Sequence, residues 1–192
     1  MKKKLIAAAL LVIGIAILSA GTIAYFTSAT TAHNVITSGG VDIVLEEWSD
    51  EDCTTPYPTD EAVPVMPGQT ITKIVTVRNT DADAYVRAQF HITVYDAEGE
   101  KIAPEALPNL DKAVVIECGE DWEKGADGWY YYADALPVGE VTPALFSEVV
   151  FDGPNMTNEY QNCTVTVDVI AQAVQAANNG DSVQEAQGWP EE

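Results

Sequence analysis

AYVRAQFHITV, residues 84–94, decides the fold. Ala84, Val86, Ala88, Phe90, Ile92 and Val94 recur at every second position, and Arg87, Gln89, His91 and Thr93 fill places between them. Successive side chains of a strand point to opposite faces, so this alternation describes a strand with one buried and one solvated face. A sheet covered on one side only is characteristically antiparallel.

Working outward, the same period recurs. In CTVTVDVIAQAVQ, residues 163–175, Val165, Val167, Val169, Ala171 and Ala173 oppose Thr164, Thr166, Asp168 and Gln172. In QTITKIVTVRN, residues 69–79, Ile71, Val75 and Val77 share a face; in VDIVLEEW, residues 41–48, Val41, Ile43 and Leu45 do. Shorter strand signals lie at KAVVIEC (112–118), at the aromatic run 129–132 and at ALFSEVVF (144–151). Met66-Pro67-Gly68, NTDADAY (79–85) and DAEGE (96–100) supply turns. No amphipathic helix of roughly ten residues or more separates the strands. The expectation is an all-β fold, an antiparallel β-sandwich of jelly-roll or immunoglobulin-like kind, with one folded domain over residues 39–177. Residues 178–192 read as a polar tail.

The chain has 192 residues and a formal charge of −21, from 9 basic and 30 acidic groups. Such a surface repels phosphate backbones and anionic lipid heads, which argues against nucleic-acid and membrane-surface partners. The beginning of the chain is the exception. Lys2, Lys3 and Lys4 precede an apolar run, and no acid occurs before Asp42. A basic segment, an apolar segment and a small-residue exit form the layout of a secretory signal, here residues 1–24 as a signal helix. Thr22 and Ala24 stand at the −3 and −1 places of a cut between Ala24 and Tyr25. Uncut, residues 5–24 would make a helix of roughly 30 Å, enough to anchor the chain in a bilayer. Either way the folded part lies outside the cytoplasm. Removal of the signal leaves 6 basic against 30 acidic groups, a charge of −24.

Chemistry-bearing motifs are sparse. Cys53, Cys118 and Cys163 allow one disulfide in three ways and match no zinc spacing. The two histidines, His33 and His91, are far apart in sequence, and neither H-E-x-x-H nor G-x-S-x-G occurs. GEDWEKGADGW (119–129) places Glu120, Asp121, Glu123 and Asp127 in one acidic loop, the best place for a loop-bound calcium, although it does not fit the twelve-residue EF-hand pattern. The expectation is a non-enzymatic protein with no resident cofactor. The aromatic run Trp129-Tyr130-Tyr131-Tyr132 reads as core on one face and rim on the other.

Between signal and first strand lies YFTSATTAHNVITS, residues 25–38, rich in Thr and without a charged residue apart from His33. Its Thr, Val, Ile, Tyr and Phe favour a strand. An uncharged strand free of proline is an aggregation hazard unless it is paired. It therefore joins its own sheet or adds to the sheet of another subunit, and the residues alone leave both open.

The order of these segments resembles the TasA/camelysin family. Gly21-Thr22-Ile23-Ala24 followed by Tyr25-Phe26, the Thr/Ala arm, and SGGVDI (38–43) opening the first strand carry the resemblance. MPGQTITKIVTVRNTDADAYVRAQFHITV (66–94), GWYYYADALPVGEVTPALFSEVVF (128–151) and NEYQNCTVTVDVIAQAVQA (158–176) continue it. The resemblance implies secretion, maturation by a SipW-type signal peptidase, a jelly-roll-like sandwich, and assembly into extracellular biofilm-matrix fibres. In such fibres the freed arm complements the next subunit's sheet, either of the same chain or of a related matrix subunit. It places the cleavage at Ala24/Tyr25 and the donor arm at residues 25–38, with Tyr25, Phe26, Thr27, Ala29, Thr31, Val35 and Ile36 as its principal residues. Burying Phe26, Val35 and Ile36 at about 1.5–3 kcal/mol each would supply several kcal/mol per junction before ordering costs. Camelysins are metalloendopeptidases, and no zinc-ligand set appears in this sequence. The alternatives to a fibre subunit are a camelysin-like surface metalloprotease and a monomeric binding module anchored by an uncut N-terminus.

Overall fold

A computed structural model describes residues 26–29, 34–38, 40–58 and 63–190. The signal segment, the Ala24/Tyr25 junction and Thr31 of the arm lie outside the described residues. Among those described, no helix is long and apolar enough to cross a membrane.

The expected β-sandwich is present. The strands, in chain order, are β1 (Phe26–Ala29), β2 (Asn34–Ser38), β3 (Ile43–Trp48), β4 (Val63–Val65), β5 (Thr70–Asn79) and β6 (Ala84–Tyr95). They continue with β7 (Val114–Val115), β8 (Trp122–Lys124), β9 (Tyr130–Tyr132), β10 (Phe146–Phe151) and β11 (Thr164–Gln175). One sheet runs β4-β1-β11-β6-β9-β8, with β2 also on β11; the other runs β3-β5-β10-β7. The run that opened the sequence reading, β6, pairs antiparallel with β11 along twelve residues, from Thr164 opposite Tyr95 to Gln175 opposite Ala84.

The two sheets close on one core. Val86, Ala88, Val165, Val167, Ala171 and Ala173 from the first meet Val75, Val77, Phe146, Val149 and Phe151 from the second. Phe90 of β6 meets Phe146 of β10 edge to face across the sandwich, with centroids 5.4 Å apart. Each fully buried large apolar side chain contributes about 1.5–3 kcal/mol, so this interdigitation sets the stability of the domain.

The turns follow their residues. Asn79 is fully buried, and its side-chain amide donates to the carbonyls of Ala82 and Leu136, both at 2.8 Å, closing the β5–β6 turn. Gly68 takes φ +83° after Pro67, and its N–H donates to the Phe151 carbonyl at 2.6 Å.

Several expectations need correcting. The strand expected over residues 112–118 is a helical turn, Leu110–Ala113, followed by two-residue β7. The acidic loop expected over 119–129 contains β8, because Trp122 buries its ring and donates from Nε1 to the Pro143 carbonyl at 3.1 Å. The three cysteines are free, so no disulfide forms. Their surroundings differ: Cys53 sits among Asp50, Glu46 and Asp52, Cys118 beside Tyr130 and Lys124, and Cys163 donates to the Glu159 carbonyl. Burial raises the pKa of all three thiols, which disfavours the thiolate. The sheets are antiparallel except where the arm joins, and the folded unit continues past residue 177.

Candidate functional site

The arm forms two strands in the chain's own sheet. β1 runs parallel to the start of β11, with Thr27, Ser28 and Ala29 opposite Thr164, Val165 and Thr166. β2 runs parallel to its end, with Asn34, Val35, Ile36, Thr37 and Ser38 opposite Ile170, Ala171, Gln172, Ala173 and Val174. On the outer side of β1, Phe26, Thr27 and Ser28 pair antiparallel with Val65, Pro64 and Val63 of β4. The expected arm residues Phe26, Thr27, Ala29, Val35 and Ile36 thus all lie on this ladder. From Ala29 to Asn34 is five steps, whereas Thr166 to Ile170 is four, so the arm carries one residue more than the strand it follows. Among the described residues the ladder partners of the arm are β11 and β4.

The face of β11 turned away from the core holds a polar-aromatic cage. Arg87 of β6 lies between two indoles, with its guanidinium carbon 4.3 Å from the Trp129 ring centroid and 4.6 Å from that of Trp189. Its Nε and one terminal nitrogen donate to Gln172 Oε1 at 3.0 and 2.7 Å, while the other terminal nitrogen donates to the Tyr131 hydroxyl at 3.2 Å. That hydroxyl donates to Asp127 Oδ2 at 2.7 Å, and Asp127 lies 3.6 Å from Arg87. Trp189 comes from the expected polar tail. Val183 and Ala186 of the same segment are buried against Tyr85 and Val174. The alternation of residues 84–94 had assigned this face to solvent; the tail's three apolar residues cover part of it.

A second polar cluster lies at the inner end of the other sheet. Lys73 shares its strand parity with Val75 and Val77, and Glu47 shares that of Ile43 and Leu45. Lys73 Nζ meets Glu47 Oε2 at 2.7 Å, with side-chain exposures of 1% and 4%, and sits 4.4 Å from the Tyr57 ring centroid. Burial lowers the ammonium pKa, and Glu47 pulls it part of the way back, with Asp168 adding a smaller attraction.

The sequence reading named neither cluster. In the local sequence Arg87 reads only as one polar position of an alternating strand, and Lys73 as an interruption between Ile71 and Val75. Of the residues proposed for calcium, Asp127 accepts from Tyr131 and from the Trp129 N–H, and Glu123 accepts from Gln184 at 3.2 Å. Among the described residues no group of three His, Cys, Asp or Glu side chains is gathered as metal ligands. A cleft of about 300 Å³ beside the cage is lined by Glu123, Lys124, Gly125, Asp127, Tyr131 and Gln184. Of its polar groups, Asp127 and Tyr131 hold the cage, Glu123 and Gln184 link the loop to the tail, and Lys124 lies over the Tyr130 ring.

No protein-family model matches the chain, and no curated protein shows significant similarity to it.

Proposed function

We propose that the chain is a secreted, non-enzymatic structural subunit of an extracellular fibre, polymerising when its arm leaves the edge of β11 and the arm of a neighbouring copy takes the place. The observation that supports this reading is the position of β1 and β2. They form the N-terminal end of the described fold and are joined to it through residues 39–42. They pair main chain to main chain with β11, and β1 also with β4. A ladder of N–H and carbonyl groups is indifferent to which copy supplies the strand, so an exchanged arm makes the same bonds. Because donor and acceptor surfaces differ, such contacts run head to tail and build an open filament.

The resemblance to the TasA/camelysin family adds the remaining elements. These are export, cleavage between Ala24 and Tyr25 by a SipW-type peptidase, a biofilm-matrix location, and partners that are further copies or a related subunit. The test is negative-stain electron microscopy of two purified chains, one starting at Tyr25 and one at Gly39. Filaments from the longer chain alone are expected. Filaments from both chains, or folded monomers from both, refute arm exchange; unfolding of the shorter chain alone makes the arm a permanent strand of its own sheet.

A further inference from the structure

Residues 178–190 do more than end the chain. After β11 they fold back over the outer face of β6 and β11, held by a set of specific contacts. The Asn179 side chain donates to the carbonyls of Gln175 and Gln187, both at 3.0 Å, and accepts from the Gln187 N–H at 2.8 Å, which closes the segment on itself. Tyr85 donates its hydroxyl to the Gly180 carbonyl at 3.3 Å. Val183 is 0% exposed, and with Ala186 it packs on Tyr85 and Val174. Trp189 completes the stack on Arg87 and meets Tyr131 edge to face at 5.9 Å.

The floor of this seat coincides with the arm's ladder. Gln172, which Arg87 grips, is opposite Ile36, and Val174, under Val183, is opposite Ser38. The outer face of residues 172–174 thus holds the C-terminal segment while their edge holds β2. These residues lie in the last turn of the pleat of β11, just before Gln175, where a strand frays first unless something packs on it.

We infer that the C-terminal segment is a clasp whose seat in the Arg87 cage fixes the end of β11, so that occupancy of the cage and seating of β2 are coupled. Coupling is reciprocal: whatever loosens the clasp loosens β2, and a seated β2 tightens the clasp. The half of the arm farther along, β1, pairs with Thr164–Thr166 at the other end of β11 and is independent of the clasp. The coupling concerns the arm's seat in a single chain. Its meaning, control of arm exchange by the C-terminus, rests on the fibre reading.

Hydrogen–deuterium exchange on the monomeric protein tests the coupling without filaments. In Trp189→Ala, amides in 34–38 and 172–175 are expected to exchange on the order of tenfold faster, with those in 26–29 unchanged. Val183→Asp, which places a carboxylate in the buried seat, opens the clasp if the indole truncation alone leaves it closed. Faster exchange in 178–189 with 34–38 unchanged overturns the inference. So does equal acceleration of 26–29 and 34–38, which would signal general loosening. Filament formation in the wild type is read separately, so loss of the fibre reading leaves this result standing.

Discussion

Lys73→Met breaks the buried ion pair while keeping most of the side-chain volume. The ammonium is withdrawn from Glu47 Oε2 at 2.7 Å and from the Tyr57 ring at 4.4 Å. Glu47 then holds a carboxylate 4% exposed on the inner parity of β3, beside Leu45 and opposite Val75. Removing one member of a buried pair costs about 3–5 kcal/mol, because the remaining charge stays desolvated. A domain of this size has roughly 5–15 kcal/mol in total, and each kcal/mol moves the melting temperature by about 2–4 °C. The single variant is therefore expected to melt about 10–15 °C lower. The double variant Lys73→Met/Glu47→Leu removes both members of the pair, and it is expected to recover most of the loss. Urea denaturation of the four proteins of the cycle gives the coupling energy directly. A single variant within about 1 kcal/mol of wild type would show a hydrated pair and refute the argument. So would a double variant no better than the single.

Three further outcomes follow from the same description. Gly119→Ala would place a Cβ 2.6 Å from the Ala144 carbonyl oxygen, and backbone cannot swing aside, so a loss of about 1–3 kcal/mol is expected by thermal denaturation. An unchanged Tm would mean that the two segments are not in close approach. At alkaline pH the four tyrosines Tyr130, Tyr131, Tyr132 and Tyr160 and the three cysteines have folded pKa values raised, chiefly by burial, above ordinary values of 10.0 and 9.0. The folded chain keeps protons that the unfolded chain releases, so stability should fall as pH rises from about 9. Lys73, shifted downward, opposes this as a single group. Stability rising across pH 9 to 11 would contradict these burials. Finally, with a charge of −24 once residues 1–24 are removed (6 basic against 30 acidic groups), filament yield should increase with salt, as screening shortens the reach of repulsion from about 30 Å at 0.01 M to about 10 Å at 0.1 M. Yield independent of salt would count against charge as the barrier.

What the sequence made legible was period-two alternation. It located β5, β6, β10 and β11, and hence the sandwich, because each of those strands buries a largely apolar face. It failed where one large residue anchors a polar segment. Trp122 made a strand of an acidic loop, and Val183, Ala186 and Trp189, spaced three apart, pinned a tail whose composition is polar. It failed also at Lys73 and Glu47, since a charge in an apolar row reads as the end of the row until its partner on the neighbouring strand is known. Arg87 illustrates the same limit. Its partners lie at 129, 131, 172 and 189, and no local pattern relates those positions. For the arm, composition announced a strand that needs pairing, but parallel pairing with the last strand is long-range and leaves no periodic mark.

The extra residue between β1 and β2 sets the phase of the arm's second half. Counted from β1 alone, Val35 would fall opposite Gln172 and Thr37 opposite Val174; with the added step they meet Ala171 and Ala173 instead. A single-residue displacement exchanges the two faces of a strand, so an arm shorter by one would run along both halves of β11 in one unbroken register, and the added step is what interrupts it. Which residues of the arm's second half share a face with which residues of β11 is thereby set by a count of backbone steps, with no side chain needed to set it.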